Sequence, residues 1–291
     1  MVIKISQLYS QVRRSLLETE DAESAGFIAR MLLCHVTGKS KEQFLADREM
    51  YVSDDVCAAA EALVARVKTG EPLAYILGRW EFYGMELIVN NSVLIPRDDT
   101  CAVAELAINQ ARQLGDSPRI LDLCTGSGCI GLAIAKHVPG AKVTLADIST
   151  NALVVARQNV ELNGLQNRVT CIPADALSAP AHFLGKFDLI VSNPPYITTE
   201  EMTELPVSVA DYEPHLALHG GDDGLEFYRS IAKNYAAALK PEGYLCFEFG
   251  MYQGDAVCAI LYENQYTVLD RTRDYNDRER AVIAQLSRKE D

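Results

Sequence analysis

The chain has 291 residues, 48% hydrophobic and 23% charged, and a formal net charge of −13. That length suits one large domain with a small companion, and that composition excludes a disordered chain. Residues 1–75 hold 9 basic and 11 acidic side chains, so most of the negative excess lies beyond them. An acidic balance with no basic run makes bare duplex DNA a poor partner, because gripping it means neutralising phosphates. The eight cysteines include no C-x-x-C pair, which disfavours a zinc site and fits reduced thiols. No metal is expected. The first residues lack the apolar core of a signal peptide, and no run reaches the ~18 apolar residues that span a bilayer. The expected setting is cytoplasmic, with no membrane contact.

Residues 1–75 read as helices. Leu8, Val12, Leu16 and Leu17 recur at helical spacing. Asp21 is placed to cap a helix over about 22–36 that puts Phe27, Met31 and Leu32 on one face and closes at Gly38. A third helix, over about 54–69, is expected to turn Ala58, Ala62, Leu63 and Val67 inward. His35 is the only histidine here and suits packing or capping. With no catalytic constellation, this segment reads as a small helical bundle that docks a partner.

Gly70-Glu71-Pro72 breaks the helical pattern, and residues 76–96 read as a linker built on a β-hairpin over Trp80–Val89. Residues 97–291 form the second domain. Arg97 and Asp98 follow a strand-like run and a proline, where either a site role or a structural ion pair is possible. After a helix over about 99–114, strands and helices alternate. Strands are expected at 119–123, 142–147, 169–173, 187–191, 244–249, 266–270 and 281–284. This pattern defines an α/β fold with a mainly parallel seven-stranded sheet and helices on both faces.

The sharpest local signal is Asn193-Pro194-Pro195-Tyr196. It follows the apolar strand Phe187–Val191, and its two prolines stop that strand. The resulting corner presents one amide, the Pro194 carbonyl and one aromatic ring at the carboxyl edge of the sheet, where ligands bind in open α/β folds. Upstream, Gly126-Ser127-Gly128-Cys129-Ile130-Gly131 fits G-x-G-x-x-G, and Asp147 lies 21 residues past its first glycine. That spacing fits a nucleotide-type ligand with an acid on the ribose, and an NAD dehydrogenase has to be weighed. Asp122 argues against a pyrophosphate, because it sets a negative charge beside the turn. S-adenosylmethionine (AdoMet), which carries an ammonium, a sulfonium and a ribose, suits an acid there. The turn Cys124-Thr125-Gly126-Ser127-Gly128 would approach it by backbone, and Asp175 and Ala176 are placed to line the adenine. A capping role is an equal reading for Asp175.

The run Leu121–Gly128, then Asp147, then Asn193–Tyr196 resembles a class I AdoMet-dependent methyltransferase, Rossmann-like, acting on an amino or amide nitrogen. Gly70–Tyr75, Glu81–Gly84, Leu94–Thr100, Gly220–Gly224 with Phe227-Tyr228, and Arg273-Asp274-Tyr275 resemble the release-factor glutamine methyltransferases of the HemK type. Two departures are Cys124, where glycine is common, and Asp98, where proline is usual. The resemblance implies methylation of the glutamine amide in the Gly-Gly-Gln stretch of peptide chain release factors one and two; a monomer is expected, though the sequence itself does not reveal the oligomeric state. Asn193 and Pro194 would accept the two amide hydrogens, Tyr196 would pack on the amide plane, and Pro195 and Arg97 would complete the substrate site. Three other readings stay open: a nucleic-acid adenine methyltransferase, an enzyme modifying a glutamine of a ribosomal protein, and a non-catalytic AdoMet-binding partner.

Overall fold

A computed structural model describes residues 3–287 of the chain. The chain divides into two compact units. The first runs up to Gly78 and also takes in Val207–Tyr212; the second holds Arg79–Pro206 and everything from Glu213 onward. The first unit therefore closes three residues later than the expected boundary at 75, because one more short helix packs into it. The hairpin is no separate linker: Phe82, Met85 and Leu87 are buried in the core of the second unit.

The first unit comprises β1 (Ile3–Lys4), α1 (Ile5–Leu16), α2 (Ala22–Thr37), α3 (Lys41–Ala46), β2 (Tyr51–Val52), α4 (Asp54–Lys68) and α5 (Leu73–Leu77). Asp21 caps α2 as expected, accepting from the N–H groups of Glu23 and Ser24, and Gly38 ends it in the left-handed conformation. The inward faces differ in part from expectation. In α2 the buried residues are Ala25, Ala29, Leu32 and Leu33, while Phe27 is 40% exposed. In α4 they are Ala60, Val64 and Val67, and Ala58 and Ala62 face solvent. The seam mixes small and large residues: Ala25, Ala29 and Ala60 pack beside Leu32, Leu33, Val64 and Val67, and α1 buries Leu8, Val12 and Leu16 as its spacing predicts.

The second unit begins with the hairpin β3 (Arg79–Phe82) and β4 (Met85–Ile88), then α6 (Cys101–Ala111), preceded by a 3-10 turn over Asp98–Thr100. Val93–Arg97 forms an irregular segment rather than a strand. There follow β5 (Arg119–Leu123), α7 (Cys129–His137), β6 (Lys142–Asp147), α8 (Thr150–Leu162), β7 (Val169–Pro173) and β8 (Phe187–Ser192). After α9 (Val207–Ala210), which belongs to the first unit, come α10 (Glu226–Asn234), β9 (Leu239–Glu248), α11 (Gly254–Glu263), β10 (Tyr266–Arg273) and β11 (Glu279–Leu286).

These strands form the expected seven-stranded sheet, in the order β10-β11-β9-β8-β5-β6-β7. The five strands from β9 to β7 are parallel, and β10 and β11 close one edge antiparallel. The order reverses between β5 and β8, which opens a crevice beyond their carboxyl ends. The two-residue strand period decides what faces it. Leu121 and Leu123 join one core cluster, under α10 and α11, while Ile120 joins the other, with α6 and α7. Asp122 therefore lies on the α7 face, and by the same count so do Asp147, Asn193 and Glu248 at their strand ends. Each buried Leu or Phe of these clusters stabilises by ~2 kcal/mol.

At the turn into β10, Gln265 is exposed with φ of 67°. A side chain in that left-handed conformation is strained, and glycine is the usual residue just past a helix. Gln265→Gly should stabilise the protein by ~0.5–1 kcal/mol and raise Tm by ~2–3 °C, read by calorimetry.

Candidate active site

The crevice is a cleft of about 1010 Å³, part of it open to solvent. One wall is the turn after β5. Cys124, Thr125, Gly126 and Ser127 line it, with Cys124, Gly126 and Gly128 at positive φ. Helix α7 starts at Cys129 and packs directly on β6: a Cβ on Gly131 would sit 2.3 Å from Leu145 and 2.9 Å from the Asp122 carboxylate. The third glycine thus serves helix–strand packing.

Asp122 does not line the cleft, contrary to expectation. It is fully buried beneath the turn, where its Oδ2 accepts from Thr125 Oγ1 (2.6 Å) and the Gly131 N–H (2.9 Å), and its Oδ1 has no partner. Burial raises its pKa to about 7, against the pull of those two donors. It braces the turn from below rather than meeting a ligand. Asp147, at the end of β6, does line the cleft. Its carboxylate accepts from the N–H groups of Gly126 and Ser149, both at 2.9 Å. Burial raises its pKa, and the two backbone donors oppose that shift.

Beyond β7, Ala176 lines the cleft and Asp175 both lines it and caps its own turn. Asp175 accepts from the Leu177 N–H (2.9 Å) and Ser178 Oγ (2.6 Å). No helix follows, so the capping reading holds for a turn only. Exposed Ile148, Leu177 and Leu216 give the cleft an apolar mouth.

The corner after β8 supplies the opposite wall. Asn193 and Pro195 line the cleft; Pro194 is buried and, like Tyr196 and Gly128, is not among the lining residues. Tyr196 packs against the core on the α10 side, and its carbonyl accepts from Gln253 Nε2 at 3.0 Å. Burial pushes its phenol pKa up. Gly224 must be glycine here: its φ is +69° and a Cβ would fall 2.3 Å from the Tyr196 carbonyl oxygen. Arg97 lines the cleft and pairs with Glu213, which is buried and also accepts the Ile95 N–H at 3.2 Å. The ion-pair reading of Arg97 therefore holds, and the pair stands at the cleft wall.

Sequence reasoning missed three site residues. Glu213 carries no local motif. Asn159 is fully buried in α8; it accepts the Ile88 N–H (2.6 Å) and donates to the carbonyls of Ile88 (3.0 Å) and Ser127 (2.9 Å). It ties the hairpin to the glycine turn. Asn159→Ala should cost ~3 kcal/mol by orphaning these backbone groups, with a matching drop in Tm and weaker AdoMet binding by titration. The third is Glu248, buried at the end of β9, whose signal was an acid inside an apolar strand.

AdoMet fits this donor set. Among the described residues that line the cleft Arg97 is the one cation, and it is already paired; the glycine turn is flanked by two carboxylates. That charge repels a pyrophosphate and suits a cationic ligand with an apolar base. Among the described residues, no group of three or more His, Cys, Asp or Glu is arranged to hold a metal, and no helix is long and apolar enough to cross a membrane.

A methyltransferase from Pyrococcus furiosus shares the fold, with a TM-score of 0.51 at 17% identity over 77% of this chain and 97% of that one. Residues 103–209 match the family described as the methyltransferase small domain, and residues 7–78 match the PrmC N-terminal domain. Fold and site together define a class I, AdoMet-dependent methyltransferase. Release factor glutamine methyltransferases from Chlorobaculum tepidum and Bacteroides thetaiotaomicron are 40% and 34% identical to this chain, covering 87% and 96% of it and 88% and 99% of themselves. The chain belongs to the release factor glutamine methyltransferase family.

Proposed function

We propose that the corner at Asn193 seats the flat side-chain amide of a glutamine, the one in the Gly-Gly-Gln stretch of peptide chain release factors one and two, for methylation on nitrogen. The enzyme is an AdoMet-dependent protein-glutamine methyltransferase. The observation that carries the reading is one cleft at the β5–β8 switch point with Asp147 and the glycine turn on one wall and Asn193 on the other.

When bound, AdoMet supplies a methyl group on a positively charged sulfur. Asp147 would take the ribose hydroxyls, the turn Cys124–Gly128 would approach by backbone, and Asp175 and Ala176 would flank the adenine. An amide nitrogen is a weak nucleophile because its lone pair is delocalised into the carbonyl. Asn193 Oδ1 and the Pro194 carbonyl accept one amide hydrogen each, which holds the nitrogen in place and raises its electron density. The half-buried Tyr196 ring packs on the core cluster on the α10 side, so in this reading it braces the corner from that side rather than lying on the amide plane. Positioning of this kind can lower a barrier by up to ~7 kcal/mol. No dedicated base is invoked; the product proton leaves to water.

The first unit is the docking domain of this reading. It presents Phe27, Leu45, Met50 and Tyr51 to solvent, an apolar set suited to a protein partner. The enzyme acts as a monomer in the cytoplasm, where release factors meet ribosomes. The test is incubation with labelled AdoMet and, separately, release factor, ribosomal protein extract and DNA. Label is expected in the release factor and lost when its Gly-Gly-Gln glutamine is replaced. Label in DNA alone overturns the reading.

A further inference from the structure

The amide of Asn193 is useful only if its oxygen, not its nitrogen, faces the substrate. The two ends have nearly the same shape, so neighbours behind the side chain must choose between them. Asn193 Nδ2 lies 3.5 Å from Thr100 Oγ1, and Thr100 is 2% exposed. Behind both stands Glu248. The parallel register Ser192↔Phe247 sets Asn193 and Glu248 side by side, one residue beyond each strand's last pair. Glu248 is 2% exposed, its carboxylate stands against Thr100 and Asn193, and its Oε2 has no partner. An ionised carboxylate only accepts, so it selects the NH2 end of Asn193.

We propose that Glu248, with Thr100, is a positioning residue that holds the NH2 end of Asn193 and so aims its carbonyl oxygen at the substrate amide. The proposal rests on the reading of Asn193 as the amide seat. Once protonated, Glu248 becomes a donor, can bond the Asn193 oxygen, and removes the choice. Its pKa is raised by burial to about 7, against the hydrogen bond from Thr100 and the charge of Arg280. The other titratable groups facing it are Asp99 from the turn before α6, Cys101 in α6, Cys129 in α7, Tyr196 in the corner and Tyr228 in α10. Arg280 is itself held by Asp99 (3.1 Å) and Asp274 (3.2 Å). Activity should therefore rise with pH as Glu248 ionises and level off above.

The experiment measures kcat, KM for release factor and AdoMet Kd from pH 5.5 to 9, for wild type, Glu248→Gln, Thr100→Val, Thr100→Ser and Asn193→Ala. Wild-type kcat should follow one ionisation near neutrality. Glu248→Gln should lose that limb and lie at least ~10-fold lower on the plateau, the size of one lost orienting hydrogen bond, with AdoMet Kd unchanged. Thr100→Val should lower kcat in the same manner and Thr100→Ser should restore it, which keeps the test open if Glu248→Gln fails to fold. Wild-type kcat in Glu248→Gln, an unchanged limb in that variant, or a fall in Thr100→Val that Ser does not restore overturns the proposal. An active Asn193→Ala overturns the seat itself; an inactive Asn193→Ala beside a fully active Glu248→Gln overturns only the role of Glu248.

Discussion

In the Asn193→Ala enzyme, methyl transfer should fall by ~10³-fold while AdoMet affinity stays within ~3-fold of wild type, since one preorganised polar contact at the reacting centre is worth that much in rate. Asn193 stands on the wall opposite the glycine turn, so its loss removes an acceptor from the substrate amide and nothing from Asp147 or the turn. Truncation takes a polar neighbour from Thr100 and from the buried Glu248, but the backbone ladder that carries the corner is untouched, so the fold should survive with some loss of stability. Single-turnover assays with saturating release factor, alongside calorimetric AdoMet titration, separate the two effects. A variant that keeps its rate removes Asn193 from the reaction.

Asp147→Ala should show the reverse pattern. AdoMet Kd should rise by ~100-fold, the loss of roughly two hydrogen bonds to a charged group. The Asp147 carboxylate also pins the Gly126 and Ser149 N–H groups, so the turn that approaches the ligand loosens with it. At saturating AdoMet, kcat should recover to within a few-fold, because nothing in the amide seat has changed. Equilibrium titration and kcat at saturation check both halves. Unaltered Kd would mean that Asp147 only staples the turn.

The fold was largely legible because its signals are local and redundant. Seven apolar runs, each closed by a turn residue or an acid, are enough to declare a mainly parallel sheet. The glycine turn, Asp147 and Asn193 were legible for the same reason: each sits at a strand end, and the topology brings strand ends together. Asp122 shows the limit and also the remedy. Its neighbourhood suggested a ligand contact, yet its parity with Ile120 already places it under α7, where Gly131 leaves room for its carboxylate. Glu213, Asn159 and Glu248 work through bonds spanning 116 or 71 residues or through strand register, which no local pattern encodes. The first unit was read correctly as helical, and Leu8, Val12, Leu16, Leu32 and Val67 are buried as expected, but Phe27, Ala58 and Ala62 face solvent, because spacing alone does not fix the rotation of a helix against its neighbours.

The assignment of Val207–Tyr212 to the first unit means that the backbone passes between the units three times, at Gly78–Arg79, Pro206–Val207 and Tyr212–Glu213. The excursion is tied off at its base, where Ile197 bridges His219, so the Asn193 corner keeps its shape whatever the far end does. Within the first unit the segment is held by Tyr212 Oη, which donates to the Thr69 carbonyl at 3.1 Å. Cutting the gene after residue 78 would therefore not release a self-contained catalytic fragment. It would strand a six-residue stretch without its partners, one peptide bond from the glutamate that holds Arg97. A shortened chain that keeps the catalytic unit whole has to replace 207–212 with a short polar bridge as well, and the entropy of closing so short a loop makes that exchange inexpensive.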